Sequence, residues 1–430
     1  MNKQYIYSER INLTCPRMIV GMKFDVVCDF SEERIKKTIE KLSSIHTFLR
    51  SNIKKDANGY YYDIKDDKKI EIYIKNAEEN FIDDYSKFAD DFWDIQNGNM
   101  FKVCAYPSER YFTVLFLIHH IISDGRALMC LVKDFVKIYN YKEVDLEKEP
   151  KVIRSIKDFP KKSDLSFPNK IFVTLNNFKW YIEKNKVNNI DYKNFFVDYM
   201  KKNKTGYNYF EFTKEETYYI ENICRKNKVT VNSAILTSLF KISPYLKSIG
   251  VAVDIRKKLN YQVNDTLGNF ASGIRIEYSY KNQLNFFENA KLVNNKVKKK
   301  ISKNRDLFLL LSCYMRMNPN LIDAMNISAF GYFKSDTAKK ISGSLGHGVP
   351  SGLGVTNLGR EFIDKLEDVV FIPPSVPSNE LTIGVVTVNG KMSIVLSYSL
   401  KFANDTKVND TIKGLKNCLL NNFKENYFDF

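Results

Sequence analysis

The sequence predicts an α/β protein built as two domains, and three observations carry that reading. At 430 residues the chain is long enough for two domains of about 200 residues each. Segments with the two-residue alternation of strands recur between segments at helical spacing along most of its length. The stretch Phe112–Tyr139, FTVLFLIHHIISDGRALMCLVKDFVKIY, contains a strand, a short loop and a helix in one run.

That stretch organises the rest. Phe112, Val114, Phe116, Ile118 and His120 fall on one strand face, and Thr113, Leu115, Leu117 and His119 on the other. Both faces are apolar, which predicts a central strand buried on both sides. The same parity sends His119 and His120 in opposite directions, so they cannot do the same job. Ser123-Asp124-Gly125 has turn composition and supplies an N-cap. Leu128, Leu131, Val132, Phe135 and Ile138 then form one helical face. A histidine at the carboxyl end of such a strand stands where open α/β sheets place ligands.

The other elements follow in order. Tyr5–Asp29 reads as strand-rich, and Ser31 caps a helix whose buried stripe is Ile35, Ile39, Leu42 and Ile45. His46 reads as the end of that helix and Arg50 as a structural ion-pair partner, ahead of a hairpin turning at Asn58-Gly59. Phe92–Tyr106 reads as a turn and a strand that pairs with Tyr111–His120. Residues 141–170 are rich in Lys, Glu, Asp, Pro and Ser, and read as a crossover between a first lobe, 1–140, and a second, 171–430. The second lobe is expected to hold a helix at Ile171–Lys184 and a strand at Tyr207–Phe212. A capping box follows at Thr213–Glu216, then a buried helix at Ala234–Leu246, a strand ending at Asp254-Ile255-Arg256 and a bend at Gly268-Asn269-Phe270. Glycines crowd residues 343–359, read as loops near a cleft leading into the strand Val355–Gly359. Leu381–Val388 and Met392–Leu400 make a hairpin around Asn389-Gly390, and Thr411–Asn422 a final helix.

Composition removes several function classes. No apolar run approaches the ~18 residues of a membrane span, and the opening MNKQYIYSERINL lacks the apolar core of a secretory leader. Seven scattered cysteines without CxxC spacing suit reduced thiols and a cytoplasmic setting. The four histidines His46, His119, His120 and His347 are too dispersed for a metal site, and no metal or resident cofactor is expected. The net charge of +16 comes with no nucleic-acid motif, so nucleic-acid binding is not expected. No phosphate loop, dinucleotide fingerprint or GxSxG elbow is present.

His119-His120-Ile121-Ile122-Ser123-Asp124-Gly125 spells HHxxxDG, and on it the chain resembles the chloramphenicol-acetyltransferase-like acyltransferase superfamily. Its overall length and its VTNLG segment look most like bacterial alcohol O-acetyltransferases and condensation-domain-like proteins; the DFGWG of the plant BAHD branch is absent. The resemblance implies two similar lobes, each a mixed sheet flanked by helices, arranged as a V around an active-site tunnel. It implies direct transfer of an acyl group, acetyl above all, from acyl-CoA or an acyl carrier protein thioester to a small alcohol or amine. The positive net charge suits either anionic donor. A carrier-dependent condensation enzyme and a non-catalytic binding module of the same fold remain alternatives.

Acyl transfer needs a base that titrates near neutrality, a place for the oxyanion and an oriented acceptor. His120 is the expected base. His119 is expected to be structural. Asp124 is expected to support the loop as N-cap and, by resemblance, through an ion pair with Arg256. Gly125 either lets a helix-start N–H meet the oxyanion or is a turn glycine. Thr356, Asn357 and Ser123 are the candidates for oxyanion or tunnel contacts.

Overall fold

The computed structural model describes residues 3–424 apart from 77, 143, 145–147, 149, 264, 345–351, 378 and 402. His347 and much of the glycine-rich segment therefore lie outside the described residues. The fold is mixed α/β: two main sheets flanked by helices, with a small three-stranded sheet at one side.

The first main sheet has five strands, in the order Leu366–Ile372, Ile19–Val26, Phe112–His119, Phe101–Tyr106 and Glu71–Ile74. Phe112–His119 lies at its centre and pairs antiparallel on both sides, with Ile19 opposite His119 and Phe101 opposite Ile118. Its faces enter different cores, as the double apolar pattern requires. Phe112, Val114, Phe116 and Ile118 pack with the helices Glu32–Ile45 and Gly125–Tyr139, while Leu115 and Leu117 meet Tyr85 and Trp93. The Ser31-capped helix buries Ile35, Ile39, Leu42 and Ile45 as its spacing predicts. His46 ends that helix and joins Asp134 through Nε2 at 2.8 Å. Arg50 forms an ion pair as expected, to Asp66 at 3.5 Å, and does more besides. It also donates to the carbonyls of Ser43, Lys65 and Asp66, and since Asp66 is 98% exposed these carbonyl bonds contribute more to holding the chain than the ion pair does.

The second sheet has six strands, in the order Ala271–Glu277, Ser248–Asp254, Gly352–Glu361, Asn379–Val388, Lys391–Ser399 and Thr205–Phe212. Asn389 and Gly390 both have positive φ, 49° and 83°, which is the mirror-image turn that Asn-Gly favours between twisted strands. Thr213 and Glu216 form the expected capping box, and Thr230 caps the buried helix Val231–Ile242. The final helix, Asp405–Lys424, starts earlier than its apolar spacing suggests.

One strand crosses between the halves. Leu366–Ile372 comes from the last third of the chain, yet it pairs antiparallel with Ile19–Val26 at the edge of the first sheet. Ser393 and Ser397 of the second sheet donate to the carbonyls of Val369 and Pro373, at 2.6 and 3.2 Å. The two sheets are thus tied by backbone and side chain along one seam.

Candidate active site

The central strand ends at His119, so His120 stands in the first position beyond it, its N–H held by the Met18 carbonyl at 2.7 Å. From there the chain turns back on itself into the helix Gly125–Tyr139. The His120 Nδ1 lies 2.7 Å from the Ser123 carbonyl oxygen. A carbonyl oxygen only accepts, so Nδ1 carries the proton and the basic lone pair is on Nε2. His120 lines a cavity of about 820 Å³ between the two sheets. Burial pushes its pKa below the ordinary histidine value, with the Ser123 carbonyl and the Asp124 charge opposing that shift. The ring is therefore neutral at neutral pH, as a proton acceptor must be.

His119 is directed away from this cavity. It is buried, accepts from the Ile121 N–H through Nδ1 at 3.2 Å, and burial pushes its pKa down to about 3. It packs and does not titrate in the working range.

Asp124 binds the two halves of the chain together. Oδ1 accepts from the Ala127 N–H at 2.9 Å, the N-cap bond, and Oδ2 accepts from the Phe270 N–H at 2.7 Å. Arg256 reaches both oxygens at 3.0 Å, with side-chain exposures of 10% and 5% for the two partners. Burial alone would raise the carboxyl's pKa, but Arg256 and the two N–H groups hold it below the ordinary value. Arg256 also lies over the Phe270 ring and donates to Asp254.

Gly125 carries a packing constraint that neither expectation included. Its backbone is not in the left-handed region, so no turn geometry demands glycine. A Cβ there would stand 2.7 Å from Leu358 Cδ2 and 2.8 Å from the Phe371 ring. Glycine lets the helix start pass close under Leu358 and the crossing strand. Gly125 borders the cavity, and its N–H lies outside the helix ladder. Gly125→Ala is expected to destabilise by roughly 1–3 kcal/mol through overpacking, measured as a lower urea midpoint. An unchanged midpoint would mean that Leu358 and Phe371 yield without cost.

Thr356 lines the His120 cavity, but Asn357 does not. Successive strand residues point to opposite faces, and Asn357 lines a separate pocket with Thr217 and Glu221, its Oδ1 accepting from the Gly359 N–H. Ser123 is fully buried and donates to the Asp124 carbonyl at 2.9 Å, so it shapes the loop without facing the cavity.

Two contributors carry no obvious sequence mark. Asn269 donates to the His120 carbonyl at 3.1 Å, within a Gly268–Phe270 segment that clasps the loop; the Gly268 carbonyl also accepts from the Asp124 N–H. The glycine of that bend was the available signal, its φ being +146°. Tyr62, from the small sheet, donates to the Ile121 carbonyl at 2.8 Å, and nothing in its strand pattern marks it. Among the described residues no cluster of three or more potential metal ligands occurs.

A neutral histidine at the end of a central strand, locked in one tautomer by its own loop and opening into a cavity between two sheets, agrees with what the resemblance to the chloramphenicol-acetyltransferase-like superfamily implies. The Condensation domain model matches residues 21–307, well over half the chain, and the chain belongs to that family. It is a condensation-domain acyltransferase. Over 126 residues it is 27% identical to bacitracin synthase 2 of Bacillus licheniformis, a match taking in 26% of this chain and only 4% of that protein. Among solved structures, it resembles the first condensation domain of the calcium-dependent antibiotic synthetase in complex with a substrate analogue. That likeness has a TM-score of 0.63 at 9% identity, covering 98% of this chain and 97% of that one. Polyketide synthase associated protein 5 from Mycobacterium tuberculosis is similar at a TM-score of 0.61 and 10% identity, covering 99% and 98%. At such identities these structures speak to the fold. No helix among the described residues is long and apolar enough to cross a membrane.

Proposed function

We propose that the protein transfers an acyl group, acetyl in the first instance, from a CoA thioester directly to a hydroxyl or amine acceptor, as an alcohol O-acetyltransferase-like enzyme. The observation that carries this reading is the tautomer of His120: with Nδ1 committed to the Ser123 carbonyl, Nε2 is free to act as base. The acceptor's O–H or N–H proton passes to Nε2 as its heteroatom attacks the thioester carbon. The tetrahedral oxyanion forms beside the helix-start N–H of Gly125, and Thr356 contacts acceptor or oxyanion. Collapse expels the thiolate, which recovers the proton from His120. His119, Asp124, Arg256 and Ser123 hold the loop. Arg275 and Lys300, which border the same cavity, suit the phosphates of the donor. We place the lobes at 1–140 and 171–430 with 141–170 between them, Leu366–Ile372 being lent back to the first. Seven free cysteines support a reducing, cytoplasmic setting.

Condensation domains act on carrier-protein-bound thioesters, which supports a second reading in which the donor, and an amine acceptor, arrive on carrier proteins. Thiol release from a panel of acyl-CoAs and acyl carrier proteins, with mixed alcohols and amines, separates the two. Acceptor-dependent release from CoA supports the first reading. Release from carrier thioesters alone supports the second, and ligand binding without release from either points to a binding module.

The burial of His120 also sets the pH dependence. kcat/KM should be constant through neutrality and fall on the acid side with a midpoint below the ordinary histidine value of 6.5. An acid limb centred above pH ~7 would contradict a buried neutral base.

A further inference from the structure

The helix Phe167–Glu183 is apolar on two opposite faces. Its inner face buries Val173 and Trp180 against Leu165, Tyr314 and Met325. Its outer face repeats large apolar residues in steps of three and four, and they stand in solvent: Phe167 76%, Ile171 44%, Leu175 54%, Phe178 61% and Ile182 60% exposed, with Tyr181 at 77% beside them. A surface helix ordinarily turns charged and polar residues outward, and one that is apolar all round belongs in an interior. Contiguous exposure on this scale marks an interaction surface.

The charges around the stripe indicate what covers it. Residues 161–186 contain six lysines, Lys161, Lys162, Lys170, Lys179, Lys184 and Lys186, against two acids. Both acids are engaged within the protein, Asp164 taking Lys170 out of the count, so five lysines stand against one inward-turned carboxylate. Asp164 is bound to Arg316 and Lys170, and Glu183 turns inward to Ser335 and the Thr337 N–H. An aromatic and aliphatic face rimmed by lysines is the make-up of a helix that lies in the plane of an anionic bilayer surface. Such a helix need not be long enough to span. The same helix also borders the catalytic cavity: Asn169 and Phe172, off the exposed stripe, line it together with His120.

We propose that Phe167–Glu183 docks this protein on an anionic membrane surface through its exposed apolar stripe. The docking does not depend on which acyl donor is used, and its test needs no turnover. The full chain is sedimented with phosphatidylcholine vesicles and with vesicles that also contain phosphatidylglycerol. Binding is expected to the anionic vesicles and to weaken with salt. Phe178→Glu with Ile182→Glu should abolish it, and Lys179→Gln should weaken it by roughly fivefold. The substituted side chains are largely exposed, so an unchanged melting temperature and an unchanged circular-dichroism spectrum verify the fold. Absence of binding to either vesicle overturns the proposal, as does binding that the double substitution leaves intact. A dimer by light scattering that the double substitution dissociates, without vesicle binding, would assign the face to a second copy. Binding of an acidic carrier protein in its place would assign it to that partner. Either result overturns the membrane reading.

Discussion

His120→Ala should lower acceptor-dependent thiol release by roughly two to four orders of magnitude, the usual contribution of a positioned general base. The fold should survive it. The substitution removes one side-chain hydrogen bond, to the Ser123 carbonyl, worth about 1 kcal/mol, while Asp124, Asn269 and Tyr62 continue to hold the loop backbone. Single-turnover release and thermal melts of both proteins make the comparison. A folded variant that keeps more than about a tenth of the rate would show that His120 is not the base. Loss of rate together with loss of fold would be uninformative for alanine, and His120→Gln, which can keep a donor near the Ser123 carbonyl, then decides between chemistry and structure.

Arg256→Ala is the substitution expected to cost most in stability. It would leave the Asp124 carboxylate, 4% exposed, without its cation, and breaking a buried pair from one side typically costs roughly 3–5 kcal/mol. Asp124→Asn should cost less, because an amide oxygen can still cap the Ala127 N–H. Urea titrations of Arg256→Met, Asp124→Asn and the double variant should show the double costing less than the sum. The acid limb has a definite sign. The folded pKa of Asp124 lies below its ordinary 3.8, so the pair's contribution is fully present above that value and is lost as pH falls through the folded pKa. The gap between wild type and Arg256→Met should therefore narrow in strong acid. A cost for Arg256→Ala below about 1 kcal/mol would place the pair among solvated surface contacts and leave the N-cap as the loop's main support.

Much of this architecture is legible locally. The double apolar alternation of Phe112–His119 requires burial on both faces, Asn389-Gly390 requires a mirror-image turn, and Ser31, Thr213 and Thr230 mark helix starts; each depends on residues within a few positions of one another. The divergence of His119 and His120 follows from strand parity. Thr356 and Asn357 are separated by the same parity, but the sequence does not say which of the two faces the cavity, because that depends on which side the neighbouring sheet lies. Leu366–Ile372 shows no strict alternation, and its partner strand lies some 340 residues earlier in the chain.

What the sequence by itself determined is the histidine loop: the strand that ends in histidine, the aspartate that caps the next helix, and the helix itself. Those are short-range consequences of side-chain alternation, turn chemistry and capping. What only the tertiary structure decided is everything that closes around that loop. Arg256, Asn269 and Phe270 arrive from the ends of two strands of the second sheet, Tyr62 from the small sheet, and Leu358 and Phe371 press on Gly125. The outward aim of Phe178 and Ile182 belongs here too, since a stripe at helical spacing does not say which of two apolar faces will find the core. The physical reason is common to all of them. Such contacts join residues far apart in the chain, and their geometry is set by how whole sheets and helices pack, which no local pattern encodes.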